Sequence, residues 1–361
     1  MNESWVKTRG IPISTIISDA RWFPEGFDPR SGLMSFIETQ RDTLAEQVFL
    51  DGRWDRGAAP HVKVHLFALA ERLAARPVSK NLHFLRHTGF CCSTLLAKAL
   101  NAPARNLSLC EPQLLVESAR AKRDGAFAQH PALAQLPKIG LHLLGRSLEP
   151  NATVTIKPAP AANVLIAEAA ALTTGRHLFL YSDCRSFLIS LAKMGDDGWA
   201  YAREMFGLLL RDGHAQATWP ATLLKALTDL QIGALVWHMQ MAEFRRNFER
   251  LGPLRVRSLD CEVFLAAPAQ TLDAVGKFLD LDLDGDHAAR ALASPAFLRN
   301  AKQPDRPFRA GQRRDEHEAV AARMGRELDR TVSWGYEMCP QTPRSAPLDG
   351  ALVPTPKAID A

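Results

Sequence analysis

Residues Asn81–Glu111 read NLHFLRHTGFCCSTLLAKALNAPARNLSLCE, and this stretch decides the fold. Leu82–Leu85 is a short apolar run typical of a buried strand. A turn that contains Gly89 follows it, and the residues from Ser93 onward have the apolar spacing of an amphipathic helix. In such a strand–turn–helix layout, backbone N–H groups and the helix dipole can hold one anion. The sequence therefore predicts a phosphate-binding loop over Gly89–Thr94.

The spacing of this loop departs from the Walker A pattern, G-x-x-x-x-G-K-[ST]. If Thr94 takes the final hydroxyl, Ser93 falls at the lysine, and Cys92 and His87 fall at the two glycines. The missing lysine argues against an ordinary ATPase or GTPase, which needs it on the β- and γ-phosphates beside Mg²⁺. A hydroxyl pair without the lysine suits an anion that is held without a metal.

At these residues the chain resembles a known family. The turn Cys92-Ser93-Thr94-Leu95-Leu96 resembles the 5′-phosphosulfate-binding loop of PAPS-dependent sulfotransferases. HTGFCCSTLLAKAL, followed by LSLCEPQLL, is similar to a group of bacterial sulfotransferase-like P-loop proteins. A second similar segment, LRVRSLDCEVFLAAPAQTLDAVGKFLDLDLD, starts at Leu254. The resemblance covers roughly residues 80 to 340 at the level of element order. It implies PAPS as the donor, no metal, and donor contacts from Gly89, Phe90, Cys91, Cys92, Ser93 and Thr94.

Two charged residues follow predicted strands. Glu111 follows the strand Leu107–Cys110, and Lys157 follows the strand Ala152–Ile156. Ligands of open α/β sheets bind beyond the carboxyl ends of strands, so both residues are site candidates, and Lys157 is a candidate contact to an anionic group of the donor. Glu111 matches the placement of a catalytic Glu in related sulfotransferases, which implies a general base. The alternatives are a helix-start carboxylate for Glu111 and a solvated lysine for Lys157. His87 is a second candidate base, although a histidine beside a turn is more often structural.

Further phosphate contacts are expected later in the chain. In the family, an Arg just after a strand and a Ser eight residues later hold the nucleotide 3′-phosphate. Ser190 matches the Ser, but eight residues before it stands Ser182, and the nearest arginine is Arg185. This departure leaves the 3′-phosphate site open. The family also covers the phosphates with a basic C-terminal loop, and NAKQPDRPFRAGQRR, which contains Lys302, occupies that place. The alternative for this segment is a solvated basic loop.

Composition is that of a globular protein with a sizeable core. The chain has 361 residues, 47% hydrophobic and 23% charged, and a net charge of +5. This charge is too small to indicate a nucleic-acid partner. No apolar run approaches the ~20 residues of a membrane span, and the first residues lack the apolar core of a signal peptide. The six cysteines have no disulfide or zinc spacing. We therefore expect a cytoplasmic protein.

The predicted architecture is an α/β, P-loop NTPase-like three-layer fold, with a mostly parallel sheet and helices on both faces. We expect an N-terminal appendage over 1–80, a sulfotransferase-like P-loop domain over 81–338 and a disordered tail over 339–361. The remaining predicted elements are listed in order: a strand over Ile11–Ile17, helices over Ser35–Asp51, His61–Ala75 and Val164–Thr174, strands over Leu178–Tyr181 and Leu254–Leu259, a helix from Pro268 to Leu279, and a terminal helix over Glu316–Tyr336.

Three functions fit these patterns. The first is a sulfotransferase that moves a sulfuryl group from PAPS to a hydroxyl or amine of an unknown small molecule. The second is an ATP-dependent small-molecule phosphotransferase, against which the missing lysine argues. The third is a non-catalytic nucleotide-binding protein on a degenerate P-loop fold, which the incomplete Arg–Ser pair favours.

Overall fold

The computed structural model describes residues 6–7, 10–214, 219–300, 303–307, 312–344 and 348–354. The chain divides into two compact units. Unit 1 comprises Met1–Arg86, Thr94–His177 and Leu272–Ala291. Unit 2 comprises His87–Ser93, Leu178–Thr271 and Leu292–Ala361.

The strands are β1 (Val6–Lys7), β2 (Trp22–Asp28), β3 (Leu33–Glu38), β4 (His61–His65), β5 (Leu82–His87), β6 (Asn106–Cys110), β7 (Thr153–Lys157), β8 (His177–Tyr181), β9 (Val256–Asp260), β10 (Arg299–Asn300) and β11 (Gln303–Pro307). The helices are α1 (Ile13–Ser18), α2 (Arg41–Glu46), α3 (Leu66–Leu73), α4 (Ser93–Ala99), α5 (Gln113–Arg123), α6 (Ala126–Gln129), α7 (Pro131–Ala134), α8 (Leu136–Leu144), α9 (Ile166–Leu172), α10 (Cys184–Met194), α11 (Asp196–Arg211), α12 (Ala221–Ala226), α13 (Asp229–Leu251), α14 (Cys261–Ala266), α15 (Pro268–Leu279), α16 (His287–Leu292), α17 (Pro295–Leu298) and α18 (Gln312–Met338), and a 3₁₀ helix covers Pro160–Leu165.

The main sheet has five strands in the order β6-β7-β5-β8-β9 and is parallel. In unit 1, β7 pairs with β5 on one side and with β6 on the other, and Cys110 of β6 lies opposite Lys157. All five strands occur within about two residues of the apolar runs that predict them. The sheet is flanked by helices, which confirms the predicted α/β fold. Because β5 is central, the loop after His87 begins at the middle of the sheet.

The first 80 residues differ from the sequence predictions in three elements. Ile11–Ile17 was expected as a strand, but α1 begins at Ile13, and Ile16 and Ile17 are buried in one apolar cluster with residues of α3 and α8. Isoleucines at 13, 16 and 17 have the spacing of one helix face, so the strand prediction is wrong.

The two helices predicted for this region begin instead as strands. Of the predicted helix Ser35–Asp51, the first part belongs to β3, and only the residues of α2 are helical. Of the predicted helix His61–Ala75, the first five residues form β4. Val62 and Val64 are buried between exposed His61 and Lys63, an alternation of period two that specifies a strand. With β1 and β2 these strands form a four-stranded sheet in the order β1-β4-β3-β2.

Unit 2 is mainly helical around β8 and β9. Helix α10 contacts α11, α13 and α18. The buried Trp237 of α13 donates its indole N–H to the carbonyl oxygen of Ser182 at 2.7 Å. No helix within the described residues is both long and apolar enough to cross a membrane.

Several described residues of the segment predicted as a disordered tail are buried or hydrogen-bonded within unit 2. Cys339, Leu348 and Val353 are buried, although the sequence around them is rich in proline and polar residues. The Ser258 N–H of β9 donates to the Gly350 carbonyl at 3.0 Å, and the Leu352 N–H donates to the Ser258 carbonyl at 2.8 Å. The edge of β9 thus supplies backbone partners that the local sequence does not reveal.

Candidate functional site

A buried ion pair joins the ends of β6 and β7. Lys157 Nζ lies 2.5 Å from Glu111 Oε1, and the lysine side chain is 0% exposed. The backbone supports this pair, because the Glu111 N–H donates to the Lys157 carbonyl at 2.7 Å. Glu111 has a left-handed backbone, with φ +53°. A buried lysine requires a charged partner, and Glu111 is that partner. The structure thus brings together the two residues that the sequence placed separately at strand ends.

The segment Phe49–Arg53 adds two charges that sequence reasoning missed. It is fixed to β6 because the Leu50 N–H donates to the Cys110 carbonyl at 2.7 Å. Arg53 Nη2 lies 4.0 Å from Glu111 Oε2, and its guanidinium carbon stands 3.4 Å from the centre of the Phe49 ring. Burial by itself would raise the pKa of Asp51, but hydrogen bonds from Arg53 and the positive charges of Arg53 and Lys157 together hold that pKa below its usual value. The only feature of the local sequence that could have pointed to these charges was the turn sequence Asp51-Gly52-Arg53.

The loop between β5 and α4 has an unusual backbone. Gly89, Phe90 and Cys92 all have left-handed φ angles, +85°, +53° and +58°. Such angles are unfavourable for residues with a side chain, and left-handed residues are a feature of anion-binding nests, in which successive N–H groups surround one anion. Within unit 2 the Phe90 ring is held edge-on by Phe187 and Tyr201, at centroid distances of 5.7 and 5.1 Å. Packing of this ring helps to hold the strained loop.

His87 supports the loop from within. Its ring is 3% exposed, and its Nδ1 accepts the Gly89 N–H at 3.1 Å. The Thr88 N–H donates to the Leu180 carbonyl at 3.3 Å, and the Cys91 thiol donates to the same oxygen at 3.5 Å. Because Nδ1 is already an acceptor in this arrangement, the geometry favours a structural role for His87 and leaves Glu111 as the stronger candidate base.

The hydroxyl pair at the start of α4 is buried. Ser93 and Thr94 are 5% and 3% exposed. Thr94 Oγ1 has no hydrogen-bond partner among the described residues. A buried hydroxyl without a partner costs free energy, so such a group points to a ligand or water as its partner. This is the residue to which the sequence assigned the last position of the phosphate-binding loop.

Cys92 of the loop contacts Cys261 within unit 2. A hydrogen bond with Cys92, together with burial, raises the pKa of the Cys261 thiol well above its usual value. Arg313 lies 3.8 Å from Cys261 Sγ and makes a 2.5 Å ion pair with Glu262. Arg313 belongs to the basic segment that was predicted to cover phosphates, whereas Lys302 lies outside the described residues.

Arg185 and Ser190 lie on α10 and both have partners in unit 2. Arg185 Nε donates to Asp329 Oδ1 at 2.8 Å, and Ser190 Oγ donates to the Ser186 carbonyl at 2.9 Å. Ser182, at the position where the family pattern has Arg, is fully buried. Arg185 and Ser190 thus both lie on a helix and have protein partners, and their role in binding a 3′-phosphate stays a prediction.

No family model and no curated protein matches this sequence. Among solved structures, the chain is similar to the sulfotransferase domain from the curacin biosynthetic pathway, at 13% identity and TM-score 0.42, over 72% of this chain and 96% of that chain. It is also similar to the sulfotransferase domain from the Synechococcus PCC 7002 olefin synthase, at 10% identity and TM-score 0.37, over 69% and 96% of the two chains. A sulfotransferase from Mycobacterium avium is similar at 12% identity and TM-score 0.36, over 74% and 81%.

Proposed function

We propose that this chain is a transferase of the sulfotransferase type, which moves a sulfuryl group from PAPS to a hydroxyl or amine of a small-molecule acceptor. The observation that carries the proposal is the loop after β5. It has left-handed backbone at Gly89, Phe90 and Cys92 and ends at the buried Thr94 hydroxyl, which has no hydrogen-bond partner among the described residues. Its backbone N–H groups and the hydroxyls of Ser93 and Thr94 would hold the 5′-phosphosulfate. No step in this binding requires a metal.

Glu111 is the proposed general base. The acceptor oxygen or nitrogen attacks the sulfur, the bond from sulfur to the bridging oxygen breaks, and its electron pair leaves with the nucleotide bisphosphate. The acceptor proton passes to the Glu111 carboxylate. Lys157 is held 2.5 Å from that carboxylate. When Glu111 takes the proton its charge is lost, and the Lys157 ammonium becomes available to stabilise negative charge that develops in the transition state.

One observation favours the non-catalytic alternative. Arg185 donates to Asp329, and Ser190 donates to its own helix, so both groups that could contact a 3′-phosphate have partners within the protein. A protein that binds nucleotide without transferring a group would need Glu111 and Lys157 only as a structural pair. Substituting Glu111 separates the two functions. A transferase would lose turnover and keep its affinity for the donor, whereas a non-catalytic protein would keep its affinity and have no turnover to lose.

Thr94→Val is expected to lower the affinity for PAP by about tenfold, because it removes one hydrogen bond to a charged group. The variant itself should be as stable as the wild type, since valine keeps the shape and the hydroxyl has no partner to lose among the described residues. The measurement is a thermal-shift and calorimetric titration with PAP, PAPS, ADP and ATP–Mg²⁺. Thr43→Val, at an exposed position of α2, is the matched control and should bind as the wild type does.

Two results would contradict the donor assignment. Stabilisation by ATP only in the presence of Mg²⁺ would indicate a phosphotransferase instead. A Thr94→Val variant that binds PAP as tightly as the Thr43→Val control would exclude the loop as the site of the phosphosulfate.

A further inference from the structure

Unit 1 contains a cavity of about 540 Å³ beside the first turn of α5. It is lined by β2 and β3 of the N-terminal sheet and by the segment that carries Asp51 and Arg53. Volumes of this order accommodate small organic ligands. The cavity adjoins the candidate base, because Arg53 lines it and also lies 4.0 Å from Glu111 Oε2.

The charges of the cavity are not balanced. Two of its carboxylates have cationic partners: Asp51 accepts from Arg53 at 2.9 Å, and Glu25 forms an ion pair with Arg56. Glu117 has no such partner among the described residues. Its Oε2 accepts the Phe27 N–H at 2.5 Å and its Oε1 accepts from the side-chain amide of Gln113 at 3.3 Å, and both of these donors are neutral.

Asp28 lines the same cavity but is exposed, so water solvates its charge. Its carboxylate accepts from the Ser31 hydroxyl at 2.7 Å and from the Arg30 N–H at 3.0 Å, again without an ion pair among the described residues. Glu117 is therefore the one partly buried carboxylate of the cavity that, among the described residues, is contacted by neutral groups alone. A ligand with a positive charge would supply the missing partner.

A structural role explains part of this arrangement. The pairing of β2 with β3 shifts register between Pro24 and Gly26, and at this bulge the Phe27 N–H bonds to Glu117. A glutamine side chain, which is neutral and has the same length as glutamate, could accept the same N–H. Burial raises the pKa of Glu117 to about 7, so keeping a carboxylate here is costly without a cation.

We propose that this cavity binds the acceptor substrate, and that the acceptor carries a cationic group that pairs with Glu117 beside the hydroxyl or amine to be modified. This inference rests on the proposed function. The cation would be held at Glu117, while the reacting group is directed past Arg53 toward Glu111. The acceptor class is thus an amino alcohol or an aminoalkyl phenol rather than a neutral or acidic alcohol.

The test is calorimetric titration of the full chain, at a pH where Glu117 is ionised, with two matched pairs of probes. Tyramine is compared with 4-ethylphenol, and 3-amino-1-propanol with 1-butanol. We expect at least one cationic probe to bind about tenfold tighter than its neutral counterpart to the wild type. Glu117→Gln should abolish this preference, and Glu71→Gln, at an exposed carboxylate on α3, should keep it.

Each other outcome overturns the inference. Silence from both cationic probes at millimolar concentration, equal binding within both pairs, or a preference that survives Glu117→Gln would each exclude Glu117 as the cation site. Titration with PAP in parallel separates the two proposals. If PAP binds and the preference is absent, only the acceptor inference fails; if the preference is present and PAP does not bind, the donor assignment fails and the cation site stands.

Discussion

Glu111→Ala is expected to lower the free energy of unfolding by about 3–5 kcal/mol, because it leaves a buried ammonium without its counter-charge. Lys157 Nζ lies 2.5 Å from the Glu111 carboxylate, and the lysine side chain is 0% exposed. Arg53 cannot replace the carboxylate, since it carries the same charge as Lys157. Urea denaturation of both proteins at one pH measures the difference.

The double variant Glu111→Ala/Lys157→Met isolates the pair. It removes both charges, so it should be more stable than Glu111→Ala alone even though it carries an additional substitution. Glu71→Ala is the surface control: Glu71 lies 4.0 Å from Arg72 in an exposed pair and should cost about 1 kcal/mol or less. A loss in Glu111→Ala no larger than in this control would mean that water reaches Lys157.

Sequence reasoning recovered the main sheet because its strands are apolar on both faces. Runs such as Leu82–Leu85 and Leu178–Tyr181 stand out from their surroundings, and the turns between them carry glycine or proline. The N-terminal sheet was missed because a half-buried strand must be recognised by alternation. Val62 and Val64 alternate over only five residues, and the apolar residues of α3 that follow extend a helical period across them.

The candidate site was predicted only in part for a related reason. Glu111 and Lys157 could each be placed at a strand end, but their contact depends on β6 lying next to β7, which is a property of strand order. Arg53 lies near Glu111 and Lys157 because the Leu50 N–H donates to the Cys110 carbonyl of β6, and Cys110 is distant from Leu50 in the sequence. The left-handed backbone of Phe90 and Cys92 could not be foreseen either, since glycine is the usual residue at such angles.

Glu117→Gln is expected to change how stability depends on pH. Burial raises the pKa of Glu117 to about 7 from 4.5, with Asp28 raising it further and Arg120, Gln113 and the Phe27 N–H opposing the shift. Between these values the folded state holds a proton that the unfolded state has released, so stability falls as pH rises through this window and levels off above it. From about pH 5 to about pH 8 the wild type should lose about 2 kcal/mol relative to the variant, which has no carboxyl group there.

Urea denaturation of both proteins across this pH range measures the difference, with Glu71→Gln expected to follow the wild type. Parallel curves for the wild type and Glu117→Gln would contradict the prediction and mean that Glu117 is solvated. Because this measurement needs no ligand, it tests the physical premise of the acceptor cavity by itself. A carboxylate that costs about 2 kcal/mol to keep charged in the folded state is one that a bound cation would stabilise, and the same desolvation makes the pair stronger than one on the surface.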